Sequence, residues 1–166
     1  MLPATLLPDL ITLSAQQRPL AVALTDGTAQ WTYAELAAST RAVASGLLQL
    51  GLQRADRVGI YLEKRLEAVV ASFAAPLAGG VLVPINPLLK PAQVAHILHD
   101  CNVRVLVTSP ERLAMLQTVL RDCPDLQQVV LCAPTPLPPS TAHCAIHSWQ
   151  DLANSPPRAG HRVIDA

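Results

Sequence analysis

The chain has 166 residues, of which 51% are hydrophobic and 14% are charged, and its 12 basic residues balance its 12 acidic ones. This length and composition predict a folded domain with a sizeable core and exclude a disordered tail. The zero net charge and the scarcity of aromatic residues argue against a nucleic-acid-binding protein, which needs positive charge and stacking surfaces. Four cysteines without a CxxC pair predict neither a zinc ribbon nor a disulfide framework, but reduced thiols in a cytoplasmic protein.

The N-terminal segment carries no targeting signal that the sequence reveals. It lacks a basic region before its apolar residues, it contains Asp9, and Pro3 and Pro8 interrupt it. A β-hairpin is predicted next, because the apolar run 21–25 is followed by Asp26-Gly27 and by a second short strand. That dipeptide is typical of a type I′ turn, in which both central residues have positive φ.

A long helix is predicted over residues 33–50. Thr32 and Glu35 have the T-x-x-E spacing of a capping box, in which each side chain binds a free backbone N–H at the helix start. Leucine and valine then recur at helical spacing. Gly51 stands where a left-handed residue ends a helix.

Strands and helices then alternate. Helices are predicted over 64–78, 91–101 and 110–121. A short edge strand is predicted to begin near residue 146, and a helical turn is predicted over 149–153. The four strands are predicted at 57–62, 81–85, 103–108 and 128–132. A repeat of about 25 residues with near-continuous apolar strands is typical of βαβ units. The predicted fold class is therefore α/β, with a parallel βαβ sheet, flanking helices and a preceding β-hairpin.

One uncharged stretch, between Glu67 and Lys90, approaches the roughly 20 residues that can cross a bilayer. Prolines and glycines interrupt it at Pro76, Gly79, Gly80, Pro84 and Pro87. They fit a helix, a turn, a strand and a loop better than one lipid-facing helix, so no membrane span is predicted.

Residues 133–166 are rich in proline and differ from the region before them. The predicted division is therefore an α/β subdomain over residues 1–132 and a connector with a tail over 133–166.

Candidate chemical groups are few. The pair Gly79-Gly80 is interpreted as a helix cap and not as a phosphate loop. His96 and His99 share a helix face, and His143, Cys144 and His147 form a second group, but neither contains a full set of metal ligands. The four cysteines are interpreted as small buried hydrophobes. They are Cys101, Cys123, Cys132 and Cys144.

A mixed-charge cluster stands at a strand-to-helix junction, where ligands of parallel sheets often bind. It comprises Glu63, Lys64, Arg65 and Glu67, and it is interpreted as a solvated helix start. The sequence contains neither a P-loop, nor a G-x-G-x-x-G fingerprint, nor a G-x-S-x-G elbow. No residue is therefore assigned a catalytic, cofactor-binding or metal-binding role.

The motifs nevertheless resemble those of a known superfamily. WTYAEL (31–36) resembles the first core motif of AMP-forming adenylating enzymes, which include acyl-CoA synthetases, peptide-synthetase adenylation domains and luciferases. LAGGVLVPINPLLKPAQVAHILHDC (77–101) resembles their second core motif, and GLQRADRVGI (51–60) lies between the two in the family's order. PINPLLKPAQVAHIL is especially similar to acyl-CoA ligases associated with bacterial exosortase systems.

The resemblance implies the N-terminal subdomain of the adenylate-forming fold, within a parent ligase that uses ATP, Mg²⁺ and coenzyme A. Such a ligase activates a carboxylic acid as an acyl adenylate and passes it to a thiol. The family's phosphate loop, T-S-G-[ST]-T-G, and its C-terminal domain with the adenylation lysine are absent from these 166 residues. The chain is therefore expected to be an inactive N-terminal part of a longer ligase.

Two expectations about partners follow. The rest of the ligase is the expected partner in the parent. The isolated chain is expected to self-associate as a homodimer, because its apolar content is high and its net charge is zero. The alternative to the homodimer is a monomer whose tail folds back over the exposed face. The alternative to the ligase function is a free-standing flavodoxin-like α/β binding or interaction module. A loop rich in glycine or hydroxyl residues after the first strand would favour a flavodoxin-like module. The loop here is Glu63-Lys64-Arg65, which contains neither glycine nor a hydroxyl residue.

Overall fold

The computed structural model describes residues 6–133, 137 and 143–160. The helices are α1 (Asp9–Gln17), α2 (Tyr33–Gln49), α3 (Leu66–Leu77), α4 (Pro91–Asp100), α5 (Pro110–Leu116) and α6 (Trp149–Ala153), with a 3₁₀ turn at Leu120–Asp122. The strands are β1 (Val22–Asp26), β2 (Ala29–Thr32), β3 (Arg57–Tyr61), β4 (Val81–Pro84), β5 (Val103–Thr108), β6 (Gln128–Leu131) and β7 (Ala145–Ser148).

Five strands form one parallel sheet in the order β4-β3-β5-β6-β7, which confirms the predicted fold class. Counted along the chain from β3, this order is 2-1-3-4-5, the order of flavodoxin-like doubly wound sheets. In such sheets the chain reverses its winding direction between strands 1 and 3. Here that switch point lies between β3 and β5.

Two layers of helices cover the sheet, as buried parallel strands require. Helices α1, α2, α3 and α6 pack on one face, where Val58, Ile60 and Val107 belong to the first apolar core. Helices α4 and α5 pack on the other face, where Leu106 and Val129 belong to the second core. Within the described residues, no helix is long and apolar enough to cross a membrane.

The cap of α2 is as predicted. Thr32 Oγ1 accepts a hydrogen bond from Glu35 N at 3.3 Å, and the Glu35 carboxylate accepts one from Thr32 N at 2.8 Å. At the other end Gly51 has a φ of 88°, and the N–H groups of Gly51 and Leu52 bind the carbonyls of Leu48 and Leu47. These two bonds form a Schellman motif, which satisfies carbonyls that the helix end would leave free.

The hairpin turn lies one residue later than predicted. Asp26 pairs with Ala29, so that Gly27 and Thr28 are the two central residues. Of these two, only Gly27 has a positive φ, 58°. The predicted type I′ turn centred on Asp26-Gly27 is therefore wrong, because a positive φ at the first central residue alone is the pattern of a type II′ turn.

Two helix boundaries also differ from the prediction. Helix α3 starts at Leu66 and not at residue 64, because Arg65 is extended, with φ −150° and ψ 165°. Helix α5 ends at Leu116 and not near residue 121. Bonds between residues three apart replace the helical ones there, from Val119 N to Leu116 O and from Cys123 N to Leu120 O. Helix α1 was not predicted at all.

The described residues of the tail pack against the α/β part of the same chain. Strand β7 pairs with β6, and α6 packs so closely on α2 that a Cβ at Gly46 would lie 2.7 Å from Leu152 Cα. Farther along, Arg158 N donates to Ser45 Oγ at 2.9 Å. The division of the chain at residues 132 and 133 stays a prediction.

Candidate functional site at the carboxyl edge of the sheet

The switch point between β3 and β5 is the place where ligands bind in open parallel sheets. Here the two strand ends are joined, because Thr108 Oγ1 donates to Tyr61 O at 3.0 Å. Thr108 is completely buried. Its hydroxyl is thus committed to the neighbouring strand.

Arg112, from the first turn of α5, fills the crevice above these strand ends. Its Nε and Nη2 both bind Glu63 Oε1, at 2.7 and 2.5 Å, and its Nη1 donates to Pro87 O at 2.7 Å. Its guanidinium also lies over the Tyr61 ring, 4.6 Å from the centroid. Only 9% of Arg112 is exposed. One side chain therefore connects α5, the β3–α3 junction and the β4–α4 loop.

Tyr61 extends this network. Its hydroxyl donates to Leu89 O at 3.1 Å, so the β4–α4 loop is held at both Pro87 and Leu89. The position of Arg112 itself follows from a local signal. Ser109 caps α5 and Pro110 is its first residue, which places Arg112 in the first turn.

Within the described residues, the mixed-charge cluster separates into two ion pairs and one cation without an ion pair, Lys64. The hydrogen bond from Arg112 lowers the pKa of Glu63 below its ordinary value of 4.5. Burial alone would raise the pKa of Glu67, but hydrogen bonds from Arg65, at 2.7 and 2.8 Å, leave it lowered. The interpretation as a solvated helix start therefore fits Lys64 but misses the partner of Glu63.

Sequence reasoning missed Arg112. Glu63 and Arg112 are 49 residues apart, and no spacing rule links them. The available signal was topological: β3 and β5 are strands 1 and 3 of the sheet, so the segments that follow them meet at the switch point.

A cavity of about 770 Å³ opens on the other side of β3, between the hairpin, α3 and the β4–α4 loop. Most of its walls are apolar, and Glu63 and Pro87, which Arg112 holds, are among the lining residues. Pockets of 300–1,000 Å³ with mostly apolar walls are the usual size of small-molecule sites.

The other candidate groups lie elsewhere. Gly79 and Gly80 donate their N–H groups to Pro76 O and Ala75 O, which confirms the interpretation as a cap. His96 and His99 are exposed on α4. Within the described ranges, no three His, Cys, Asp or Glu side chains come together as metal ligands would.

The second histidine group is divided among separate partners. His143 Nε2 is 3.0 Å from Cys123 O, and His147 Nε2 is 2.7 Å from Gln128 Oε1. Cys144 donates to Leu126 O. These contacts connect β7 and the two residues before it to β6 and to the segment that precedes β6.

All four cysteines are free thiols, and all but Cys101 are buried. Burial raises the pKa of Cys132 to about 12 and that of Cys144 to about 11. Such thiols remain protonated at neutral pH and are poor nucleophiles.

Comparisons with known proteins give the family. The family model described as "AMP-binding enzyme" matches residues 11–161 of this chain. Naringenin synthase of Pestalotiopsis fici is 40% identical over 83 residues, which are 50% of this chain and 3% of that protein. Peroxisomal long chain acyl-CoA synthetase 7 of Arabidopsis thaliana is 32% identical over 108 residues, 64% of this chain and 15% of that protein.

A solved structure extends the similarity to the fold. The anthranilate CoA ligase AuaEII, in complex with anthranoyl-AMP, matches with a TM-score of 0.80 and 25% identity over 90% of this chain and 28% of that one. The chain thus spans less than a third of each of these proteins. Its fold is that of the N-terminal subdomain of adenylate-forming enzymes, and the chain belongs to the AMP-binding enzyme family.

Proposed function

We propose that this chain is the N-terminal scaffold of an AMP-forming carboxylic acid–CoA ligase. In the proposed reaction a carboxylate attacks the α-phosphate of ATP and releases pyrophosphate, and a thiol then displaces AMP from the acyl adenylate. The family match over residues 11–161 supports the proposal. Two similar proteins are named as a long chain acyl-CoA synthetase and an anthranilate CoA ligase. Their names support a carboxylic acid and a thiol as the substrates of the proposed reaction.

The described residues do not fit Mg-ATP. The N–H groups of Gly79 and Gly80 already bind helix carbonyls, and the switch-point crevice is filled by Arg112. A phosphate site needs several free backbone N–H groups or unpaired cations together. Among the described cations that line the cavity beside β3, Lys64 alone forms no ion pair. We therefore assign this chain a structural role, with its filled crevice as the observation that carries the assignment.

The experiment compares the chain alone with a chimera. In the chimera, this chain replaces the matching 28% of the anthranilate CoA ligase. Pyrophosphate exchange with anthranilate should stay at background for the chain alone and should be measurable for a folded chimera. Exchange above background by the chain alone, or a folded chimera without activity, would contradict the proposal.

The flavodoxin-like alternative shares the strand order of this sheet, but no observation favours its function. The loop after β3 is occupied by two ion pairs, Glu63 with Arg112 and Arg65 with Glu67. A cytoplasmic location belongs to the same proposal as the ligase, supported by the free thiols. The similarity to exosortase-associated ligases also belongs to this proposal and stays a prediction.

We also propose that the isolated chain self-associates. Several large apolar side chains are exposed near the N-terminus, and both β4 and β7 are edge strands of the sheet. The exposed side chains are Leu6, Leu7, Leu10, Leu20 and Val22. Sedimentation should show a dimer at micromolar concentration, and a monomer over a tenfold range of concentration would refute the proposal.

A further inference from the structure

The β4–α4 loop holds an apolar side chain in solvent. Among the described residues, Leu88 is the most exposed large hydrophobic side chain, at 88%. The carbonyls of its two neighbours, Pro87 and Leu89, both accept hydrogen bonds from side chains of other elements, at 2.7 and 3.1 Å. The N–H of Leu88 itself donates to Asn86 Oδ1 at 2.9 Å. The loop therefore presents Leu88 in a fixed position, so a contact made by this side chain costs little ordering entropy.

The open cavity beside β3 lies directly next to the projecting leucine. Leu88 stands at its border, and its apolar walls include Trp31 of the hairpin and Leu66 and Val69 of α3. A volume of about 770 Å³ has room for the tip of a loop and not only for one side chain. A projecting apolar side chain and an apolar cavity thus share one face of the molecule.

Two charges on the same face add a second pattern. Asp26, at the end of β1, and Lys64, two residues before α3, both line the cavity and are both exposed. Within the described ranges neither forms an ion pair, although Glu63 and Arg65 on either side of Lys64 do. The face therefore carries one anion and one cation that can each meet an opposite charge from outside.

We propose that this face is the contact between two copies of the chain, with Leu88 of each copy inserted into the cavity of the other. A projection and a cavity on one face are self-complementary, because a two-fold axis between two copies can bring each projection onto the opposite cavity. The same axis sets Lys64 of one copy opposite Asp26 of the second copy, and the reverse. A second copy is favoured as the occupant because it meets the leucine, the cavity and both charges together. The inference rests on the proposed self-association of the isolated chain and not on the ligase reaction.

Substitutions of the leucine test the contact. Sedimentation equilibrium of the whole chain gives the dissociation constant of the dimer. Leu88→Asp should raise it at least about tenfold, because a carboxylate would have to lose water inside an apolar cavity. Leu88→Met, which stays apolar, should keep it within about threefold. Met115→Asp, at an exposed apolar position of α5 outside the cavity, is the matched control and should change nothing.

An exchange of charges tests the two-fold arrangement. Lys64→Asp and Asp26→Lys each set like charges opposite one another across the contact, and each should weaken dimerisation about fivefold. The double variant sets opposite charges against each other again and should dimerise within about twofold of the wild type. Circular dichroism should show the same helix content for every variant, since all these positions are exposed. A double variant that associates no better than the single ones would overturn the arrangement.

The outcomes also separate this contact from the self-association on which it rests. A wild-type chain that stays monomeric over a tenfold range of concentration would refute both. A wild-type dimer that persists in Leu88→Asp would leave the self-association standing and overturn the contact proposed here. Dissociation of that dimer by Leu10→Asp alone would assign the interface to the exposed apolar side chains near the N-terminus.

Discussion

The two openings on either side of β3 lie at the same edge of the sheet and differ completely in what occupies them. Between β3 and β5, the side chain of Arg112 fills the crevice and binds Glu63 and the Pro87 carbonyl. Between β3 and β4, a cavity of about 770 Å³ remains open, with Leu88 at its border 88% exposed. A topological switch point is thus not by itself a binding site, because the chain can fill it with its own side chains.

The filled crevice and the open cavity are mechanically linked. Glu63 and Pro87 bind Arg112 on one side and line the cavity on the other. The interactions of Arg112 therefore hold two walls of a cavity that it does not itself line. Changes on the filled side should affect stability, whereas changes on the open side should not.

Arg112→Ala should have the largest effect, a loss of about 3 kcal/mol in the free energy of unfolding. It removes an ion pair in which two guanidinium nitrogens bind one Glu63 oxygen, and it leaves the Pro87 carbonyl without its donor. Arg112→Lys should recover part of the loss, because lysine keeps the charge but not the planar fork. Urea denaturation measures both, with exposed Arg41→Ala as the control. A loss below 1 kcal/mol for Arg112→Ala would show that the crevice does not depend on this side chain.

Thr108→Val should cost about 1 kcal/mol, since valine matches threonine in shape but cannot donate to Tyr61 O. Thr118→Val, at an exposed position of the same chain, should be nearly neutral. The difference between the two urea midpoints measures the interstrand bond. Equal midpoints would mean that the hydroxyl contributes nothing to the joining of β3 and β5.

Local signals in the sequence predicted most of the elements. The capping box at Thr32 and Glu35 located the start of α2, and the strand spacing predicted the parallel sheet. Errors occurred where tertiary packing decides the boundary. Helix α1 begins after Pro8 and has Ile11 as its one buried residue, so its apolar periodicity is weak. Helix α5 gives way to tighter turns that bury Leu116 and Leu120.

The candidate site was less predictable than the fold. The charges of residues 63–67 were visible at a strand-to-helix junction, but their pairing depends on a side chain from another βα unit. The cavity depends on how the hairpin lies against α3, which no motif encodes. Residue types alone therefore pointed to the correct edge of the sheet but not to which opening is filled.

The Glu63–Arg112 pair should make part of the stability depend on pH. The pKa of Glu63 is lowered in the folded state, so its contribution is present above the ordinary value of 4.5 and is lost as the pH falls through the lowered value. The gap between the urea midpoints of the wild type and Glu63→Gln should therefore narrow below pH 4.5. In an Arg112→Met background the same substitution should show no such narrowing, and an identical narrowing there would assign the effect to another partner.

Lys64→Gln should have the smallest effect on stability, less than about 0.5 kcal/mol, because this exposed cation forms no ion pair within the described residues. It stands one residue from Glu63 and lines the open cavity, but it forms no contact with Arg112 among the described interactions. Thermal and urea denaturation of Lys64→Gln and Arg112→Lys, side by side, compare the two openings directly. Equal destabilisation by the two substitutions would mean that the open side also supports the fold, and the contrast between the openings would then be lost.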